Sequence, residues 1–600
     1  MKKSIDLVRQ LVNDFKTHEA TYLASDYQEQ EARKDFIDKF LIALGWDVNH
    51  EHQKNPYEQE VKIEQSVKTG KSQRRADYAF FIGPNFRDPK FFVEAKKPSR
   101  SLSNPDDYYQ IIRYAYNKKI PISVLTDFEE FHIIDCRFLP DIKTALSRKI
   151  EDFHYTDYAD EEKFNRIFHL FGREAVEKGS IEKYAAELPK PKGKGVQQAL
   201  FKSGFLPIDE AFLVKLNDFR LTLAKSFKKH NQELESEELT EAVQRTIDRL
   251  VFVRFLEDKG IEEHAIEKLA AESSAWKAFV NLCRSLEPKY NGLVFKNHAL
   301  IDDDKFVPPE EEFAEICNEL ADPSSPYLFD EIPISMLGSI YEQFLGKVVH
   351  ATPKRADVED KPEVRKARGV YYTPEYIVRY IVQNTVGKLI EGKTPEEISQ
   401  MAFADIACGS GSFLIEVYSE LLDYHTRYYS AYPEKTKPGD TQMREGKVVL
   451  SLKKRQEILT SNIYGVDIDY QATEVTQLSL YLKLLEDVTM NDAYQYSLLK
   501  EKILPDLKNN IKCGNSLIGT DILEGDLFEK TEERKLNPMN FADAFPKVMK
   551  RGGFDAIVGN PPYGAEFSDL EKKYLFKTYP VLKGQPESYE YFLYRVLELN

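Results

Sequence analysis

The chain is short of the residues that build disulfide frameworks and zinc sites. Its five cysteines, Cys136, Cys283, Cys317, Cys408 and Cys513, are scattered over 600 residues, with no CxxC pair and no neighbouring histidine cluster. Such usage argues against both and fits a reducing cytoplasm. No run approaches the ~18 apolar residues of a membrane span, so no membrane is expected as a partner. The first residues, Met1-Lys2-Lys3-Ser4-Ile5-Asp6, carry no apolar signal core. Internal repeats and long low-complexity segments are also missing. So is the phosphate-binding pattern GxxxxGK[ST]. Gly70-Lys71-Ser72 comes nearest, but Gln65 stands where the first glycine is needed, which excludes a P-loop motor. Positive charge is in deficit, with a net charge of −16, which argues against coating nucleic acid by bulk electrostatics. Local basic stretches remain, Lys90, Lys96, Lys97 and Arg100, then Arg113, Lys118 and Lys119, and phosphate contact needs no more than a local surface.

Hydrophobic content of 42% and charged content of 30% are ordinary for a globular protein, and the length calls for about three or four domains. Residues 1–50 read as two helices. In the second, from Glu29 to Leu44, Phe36, Ile37, Phe40, Leu41 and Leu44 share a face and Gly45 stops it. Strands are expected at Ala76–Ile82, Lys90–Ala95, Ile122–Thr126 and Phe131–Asp135, with a helix near Asp106–Asn117. Pro189-Lys190-Pro191-Lys192-Gly193-Lys194-Gly195 reads as a linker. Residues 205–345 read as helical and 352–368 as a charged, exposed loop. From Gly369 onward, strands at Phe403–Ala407, Ile463–Val466, Ile511–Cys513 and Phe554–Val558 alternate with helices, which predicts a parallel, doubly wound sheet. The fold class is α/β, multidomain.

Four strand ends in this second half carry chemistry. The first leads into Asp405-Ile406-Ala407-Cys408-Gly409-Ser410-Gly411, where Gly409 and Gly411 allow a tight turn and close approach to a ligand. The second ends at Asp467, an acid suited to ribose hydroxyls, or else a cap for the next helix. The third ends in Cys513-Gly514-Asn515. The fourth runs into Asn560-Pro561-Pro562-Tyr563, where two prolines force a turn and present an amide, a carbonyl and a ring together. Those groups suit an extruded base. A lone turn of this kind could equally be a packed Tyr; the ordered set of four is far more specific.

Residues 365–600 resemble the adenine-N6 DNA methyltransferases that use S-adenosylmethionine. Gly369-Val370-Tyr371-Tyr372-Thr373-Pro374 is similar to that family's upstream motif. The resemblance implies a Rossmann-like methyltransferase domain over 346–600, with Tyr372, Thr373, Asp405, Ala407, Gly409 and Gly411 at the methionine end of the cofactor. It implies Asp467 on the ribose and Asn515 near the adenine ring. Asn560 and the Pro561 carbonyl would accept hydrogen bonds from the target amino group, and Tyr563 would stack on the flipped adenine. Ile406 replaces the family's usual proline, and a charged insertion near 430–455 separates the first two motifs.

In the first half, Arg75-Ala76-Asp77-Tyr78 opens one strand and Val93-Glu94-Ala95-Lys96-Lys97 closes the next. Glu94 and Lys96, two apart, share a face, and a hairpin would bring Asp77 to them. Two carboxylates can hold Mg²⁺ while the ammonium polarises water; a solvated cross-strand charge pair is the plain alternative. Residues 31–135 resemble the N-terminal nuclease domain of type I restriction subunits, of the PD-(D/E)XK fold, with the opening helix from Glu31-Ala32-Arg33 and the element Gln110-Ile111-Ile112-Arg113-Tyr114. That implies a nuclease domain over 1–185 with Asp77, Glu94 and Lys96 catalytic, Asp77, Glu94 and Glu31 at the metal, and Gln110 in support. A helical connector over 186–345 would join the two domains.

Together the resemblances imply a single-chain, type IIG restriction–modification enzyme of a bacterial or archaeal cytoplasm. It would methylate adenine in a specific double-stranded DNA sequence, cut unmethylated DNA with Mg²⁺, and self-associate for cleavage. One alternative is an adenine methyltransferase with an inactive nuclease-like domain; another is a non-catalytic DNA-binding module that senses the cofactor. With four strands in the second sheet and no candidate target-recognition domain, the methyltransferase domain is expected to be incomplete, the front part of a longer protein.

Overall fold

The computed structural model describes residues 2–63, 76–84, 86–190, 205–263, 265–290, 294–352, 355–360, 373–444, 446–498, 502–523, 535–564, 566–582, 584 and 586–600. Outside them lie Gly70-Lys71-Ser72, Arg75, the linker from Pro191 onward and Gly369-Val370-Tyr371-Tyr372. The chain divides into two units, 1–212 with 324–333, and 213–323 with 334–600. Among the described residues no helix is long and apolar enough to cross a membrane.

The first unit is built on a six-stranded sheet, β1 (Val61–Ile63), β2 (Tyr78–Phe80), β3 (Phe91–Ala95), β4 (Ile122–Thr126), β5 (Glu130–Asp135) and β6 (Lys149–His154), in that order. β3 and β4 are parallel and the other pairs antiparallel. A parallel pair needs a crossover. Helix Pro105–Asn117 supplies it, started by Pro105 and by the Asn104 side chain, which accepts the Asp106 N–H at 3.0 Å. β3 and β4 are buried at every residue, the reason both read as near-continuous apolar runs. Helix α1 (Lys2–Thr17) buries Ile5, Val8, Val12 and Phe15, a helical repeat, against this core. The next long helix runs in three pieces, Glu29–Ala32, a π-helical turn Arg33–Ile37 and Asp38–Ala43. It buries Phe36, Ile37, Phe40 and Leu41, and ends at Gly45, whose φ of +95° favours glycine.

The second unit begins with helices. α2 (Ser236–Asp258) buries Val243, Ile247, Val251, Phe255 and Leu256, and α3 (Ile334–Leu345) follows later in the chain. Within the segment read as an exposed loop from 352, Arg355–Asp360 forms a strand, β8, paired antiparallel with β7 (Lys347–Thr352). Its charges alternate with small or apolar residues: Ala356 is buried while Asp357 and Glu359 face solvent, a period of two hidden by the high charge.

The central sheet of this unit has four parallel strands, β9 (Phe403–Asp405), β12 (Ile463–Asp467), β13 (Ile511–Cys513) and β14 (Ala556–Ile557), in the order β13-β12-β9-β14. Helix α4 (Ser412–Ala431) leads from β9 toward β12, and α5 (Tyr470–Leu485) from β12 toward β13. Between α4 and β12 the charged insertion forms a small hairpin, β10 (Thr441–Arg444) and β11 (Lys447–Leu450). The chain therefore builds outward from β9 to β13, then returns to lay β14 on the other side of β9. The C-terminal ends of β9 and β14 flank this reversal, the position where open parallel sheets bind ligands. β14 is shorter than the run Phe554–Val558, but the Asp555 and Val558 amides still bond the Ala402 and Ala404 carbonyls at 2.9 Å. Ala404, Ile406, Val466, Phe541, Phe554 and Leu575 close the core beneath; Ile406 is 5% exposed, so the residue in proline's place packs inside.

Candidate active sites

In the first unit, antiparallel pairing of β2 with β3 sets Tyr78 against Val93, which places Asp77 beside the Glu94 end of β3. Asp77 Oδ2 accepts the Ala95 N–H at 2.8 Å, and Oδ1 accepts Arg33 Nη1 at 2.9 Å. Glu94 is 3% exposed. Its Oε1 accepts Lys96 Nζ at 2.6 Å and Gln110 Nε2 at 3.1 Å. Its Oε2 is buried with no hydrogen-bond partner. Burial and then Asp77 push the Glu94 carboxyl above the usual range, against the pull of Lys96. Asp77, Glu94, Lys96 and Gln110 are thus brought together.

Glu31 is not. Its carboxylate turns back to accept the Gln28 N–H at 2.8 Å, capping its own helix, and the residue is exposed. Glu29 faces this site instead: it is half-buried, and burial and then Asp77 raise its carboxyl while Lys96 opposes. Arg33, also missed in the sequence, is fixed by its contact with Asp77, by Tyr78 Oη at 3.1 Å from Nε, and by the Tyr78 ring at 4.6 Å.

Among the described residues no group of three or more His, Cys, Asp and Glu is arranged to hold a metal. The donor set does suit a hard divalent cation. Two carboxyl groups converge, and Glu94 Oε2 is a buried oxygen without a hydrogen-bond partner, which a cation would satisfy.

In the second unit, the loop after β9 is a tight turn: Gly411 N–H bonds Cys408 O at 2.7 Å, and Gly409 and Gly411 have φ of +52° and +86°. Asp405 is 2% exposed, and its Oδ1 accepts the Ala407 N–H at 3.0 Å. Asp467 Oδ2 accepts the Gly409 N–H at 2.8 Å and its Oδ1 the Asp469 N–H at 2.9 Å. Burial raises the Asp467 carboxyl and those backbone bonds lower it, with burial winning. Capping of α5 falls to Asp469, which accepts the Gln471 N–H at 2.8 Å. Asp467 therefore joins the ends of β9 and β12 and is not a helix cap. Asn515 is 8% exposed and uses its Oδ1 locally, on the Leu517 and Ile518 amides at 3.0 and 3.2 Å.

The turn after β14 meets the end of β9. A Cβ on Gly559 would stand 2.4 Å from Asp405 Oδ1, so only glycine permits the approach. Asn560 Nδ2 donates to Thr373 Oγ1 at 2.9 Å, uniting two residues 187 positions apart. Ser588 Oγ, at the start of helix α6 (Ser588–Leu599), donates to Pro562 O at 2.5 Å. Tyr563 is 67% exposed, with its ring 5.6 Å from that of Tyr589. No local sequence pattern marks Ser588 or Tyr589, since both lie more than 20 residues after the turn they hold. Tyr372 lies outside the described residues.

Comparison with known proteins places both halves. Residues 28–147 match the family described as type I restriction enzyme R protein N terminus, and residues 461–600 the family described as Eco57I restriction-modification methylase. The type II restriction enzyme and methyltransferase RM.Eco57I of Escherichia coli is 33% identical over 93% of this chain. This chain is related to the single-chain restriction–modification enzymes. It spans 53% of the length of that relative. The adenine-specific methyltransferase PglX of Streptomyces coelicolor is 23% identical over 39% of this chain and 18% of its own length. Among solved structures, the type IIG restriction endonuclease BpuSI aligns over 87% of this chain and 46% of its own, at 14% identity and a TM-score of 0.34.

Proposed function

We propose that the second unit transfers methyl groups from S-adenosylmethionine to adenine N6 in a specific double-stranded DNA sequence, and that the first cuts unmethylated DNA with Mg²⁺. We assign residues 1–185 to a PD-(D/E)XK-type nuclease, 186–345 to a helical connector and 346–600 to a Rossmann-like methyltransferase domain. The observation that carries the methyl-transfer reading is the contact of Gly559 with Asp405 at the reversal of the sheet. It sets the Asn560 turn against the strand end that feeds the glycine loop.

Asn560 donates through Nδ2 to Thr373, so its Oδ1 is the atom left to accept from a target amino group. An amide is no general base. With the Pro561 carbonyl it orients the nitrogen lone pair, which is catalysis by positioning and electrostatics. Tyr563, exposed and backed by Tyr589, offers a stacking face to an extruded base. S-adenosylmethionine, when bound, supplies the electrophilic methyl group; Asp405, the Gly409–Gly411 turn and Asp467 are the groups suited to hold it.

In the first unit, Asp77 and Glu94 would hold Mg²⁺, which supplies Lewis acidity at the phosphate. Lys96 holds Glu94 Oε1 and sets an ammonium where an attacking water could be oriented.

The test uses unmethylated duplex DNA. Transfer of labelled methyl, lost in Asn560→Ala, supports the first activity. Mg²⁺-dependent cutting, lost in Asp77→Ala or Lys96→Ala with methyl transfer intact, supports the second. Methyl transfer without any cutting by the parent chain would favour the rival reading, a methyltransferase with an inactive nuclease-like domain.

A further inference from the structure

The glycine loop is gripped through both polar groups of one residue. Asp467, at the end of β12, takes the Gly409 N–H at 2.8 Å. Thr476, on α5, donates its hydroxyl to the Gly409 carbonyl at 2.7 Å. Thr476 is fully buried, at 0% exposure, and its methyl also fixes the far side of the turn. A Cβ built on Gly411 would lie 2.9 Å from Thr476 Cγ2 and 3.1 Å from Oγ1. One side chain thus satisfies the carbonyl of the first loop glycine and fills the space beside the second.

The helix that carries Thr476 is itself pinned. Two residues earlier, Glu474 pairs with Arg245 of α2, both sides of the pair largely buried. From α3, Gly338 comes close to the same loop: a Cβ there would stand 3.5 Å from Ile415 Cδ1 and 3.8 Å from Ser410 O. The helices expected to serve as a connector therefore also buttress the loop.

We infer that Thr476 is a positioning residue for the cofactor: its hydroxyl holds the Gly409–Gly411 turn in the conformation that receives S-adenosylmethionine. The inference rests on the methyltransferase reading above, but the loop's conformation can be followed without cofactor. Gly409 and Gly411 sit at left-handed φ, where the backbone has many alternatives, so a donor aimed at one carbonyl selects among them.

The experiment compares Thr476→Val, which keeps the shape and removes the donor, with Thr476→Ser, which keeps the donor and removes the methyl. S-adenosylhomocysteine affinity is measured by titration calorimetry on the whole chain, alongside urea midpoints and amide hydrogen exchange over residues 408–413. Thr476→Val is expected to bind about five- to tenfold more weakly, the worth of one buried hydrogen bond, and to exchange those amides faster. Thr476→Ser is expected to stay within about twofold of the parent on the same scale. A purely structural hydroxyl would lower the urea midpoint of Thr476→Val while leaving affinity and loop exchange unchanged, and that result overturns the inference. So does a serine variant as impaired as the valine one. A parent chain that binds no S-adenosylhomocysteine refutes the methyltransferase reading and the cofactor part of this inference; unchanged loop exchange in Thr476→Val refutes the positioning part alone.

Discussion

Gly559→Ala tests the junction on which the methyl-transfer reading turns. The added Cβ would stand 2.4 Å from Asp405 Oδ1 and 2.9 Å from its Cγ. Non-bonded contacts settle near 3.5 Å, so the overlap is roughly 1 Å. Asp405 has little room to yield, being 2% exposed with Oδ1 bonded to the Ala407 amide. The strand end must then shift, and forced overpacking of this kind costs about 1–3 kcal/mol. Urea denaturation should show that loss. The same shift moves the Asn560 turn off the end of β9, so S-adenosylhomocysteine should bind about tenfold more weakly, equivalent to about 1.4 kcal/mol.

A double-mutant cycle separates this clash from a general effect of replacing glycine. With Asp405→Ala in place the overlapping atoms are gone, and the further change Gly559→Ala should cost less than about 0.5 kcal/mol in stability, a strong non-additivity for residues in contact. Two results refute the reasoning. One is a Gly559→Ala protein with parental stability and affinity. The other is an equal cost in both backgrounds, which would mean that Asp405 is not what Gly559 meets.

Three further outcomes follow from the geometry. Arg249 and Asp302 form a bidentate pair, each contact 2.7 Å, with side chains 0% and 3% exposed, so Asp302→Ala should destabilise the second unit by about 3–5 kcal/mol in urea, because the guanidinium stays buried without its counter-charge. His425 is buried, its imidazole held down to about 4 by desolvation, below its ordinary value of about 6.5. As pH falls from about 6.5 toward 4 the unfolded chain protonates first, so stability is lost over that window, by up to about 3 kcal/mol, and His425→Gln should flatten that slope in urea midpoints taken at several pH values. Chelating divalent cations with EDTA should abolish DNA cutting and leave methyl transfer unchanged, measured on the same preparation; cutting that persists would remove the metal role given to Asp77 and Glu94.

What the sequence disclosed and what it hid divide along one physical line. The turn at Asn560-Pro561-Pro562-Tyr563 and the Gly409–Gly411 loop were legible because proline and glycine restrict or free the backbone at their own positions, whatever lies elsewhere. Glu94 and Lys96 were legible as a pair because a strand alternates its faces every second residue, and the two side chains meet at 2.6 Å. Glu31 is implied by the resemblance of the opening helix alone, and no local rule shows that its carboxylate is taken up by the Gln28 N–H while the Glu29 carboxyl feels Asp77 and Lys96. The strand Arg355–Asp360 was hidden by charge, which reads as a loop unless its alternation is counted. Thr476, Ser588 and Arg33 gave no signal, because each acts on a group 67, 26 and 44 residues away through one side-chain contact. Local rules reveal the groups that do chemistry where the backbone must be special to present them. They do not reveal the ordinary Thr, Ser or Arg that holds those groups still, since any helix accepts such a residue without comment. Substitutions at those holding positions should therefore separate geometry from chemical identity more cleanly than removal of the reactive groups themselves.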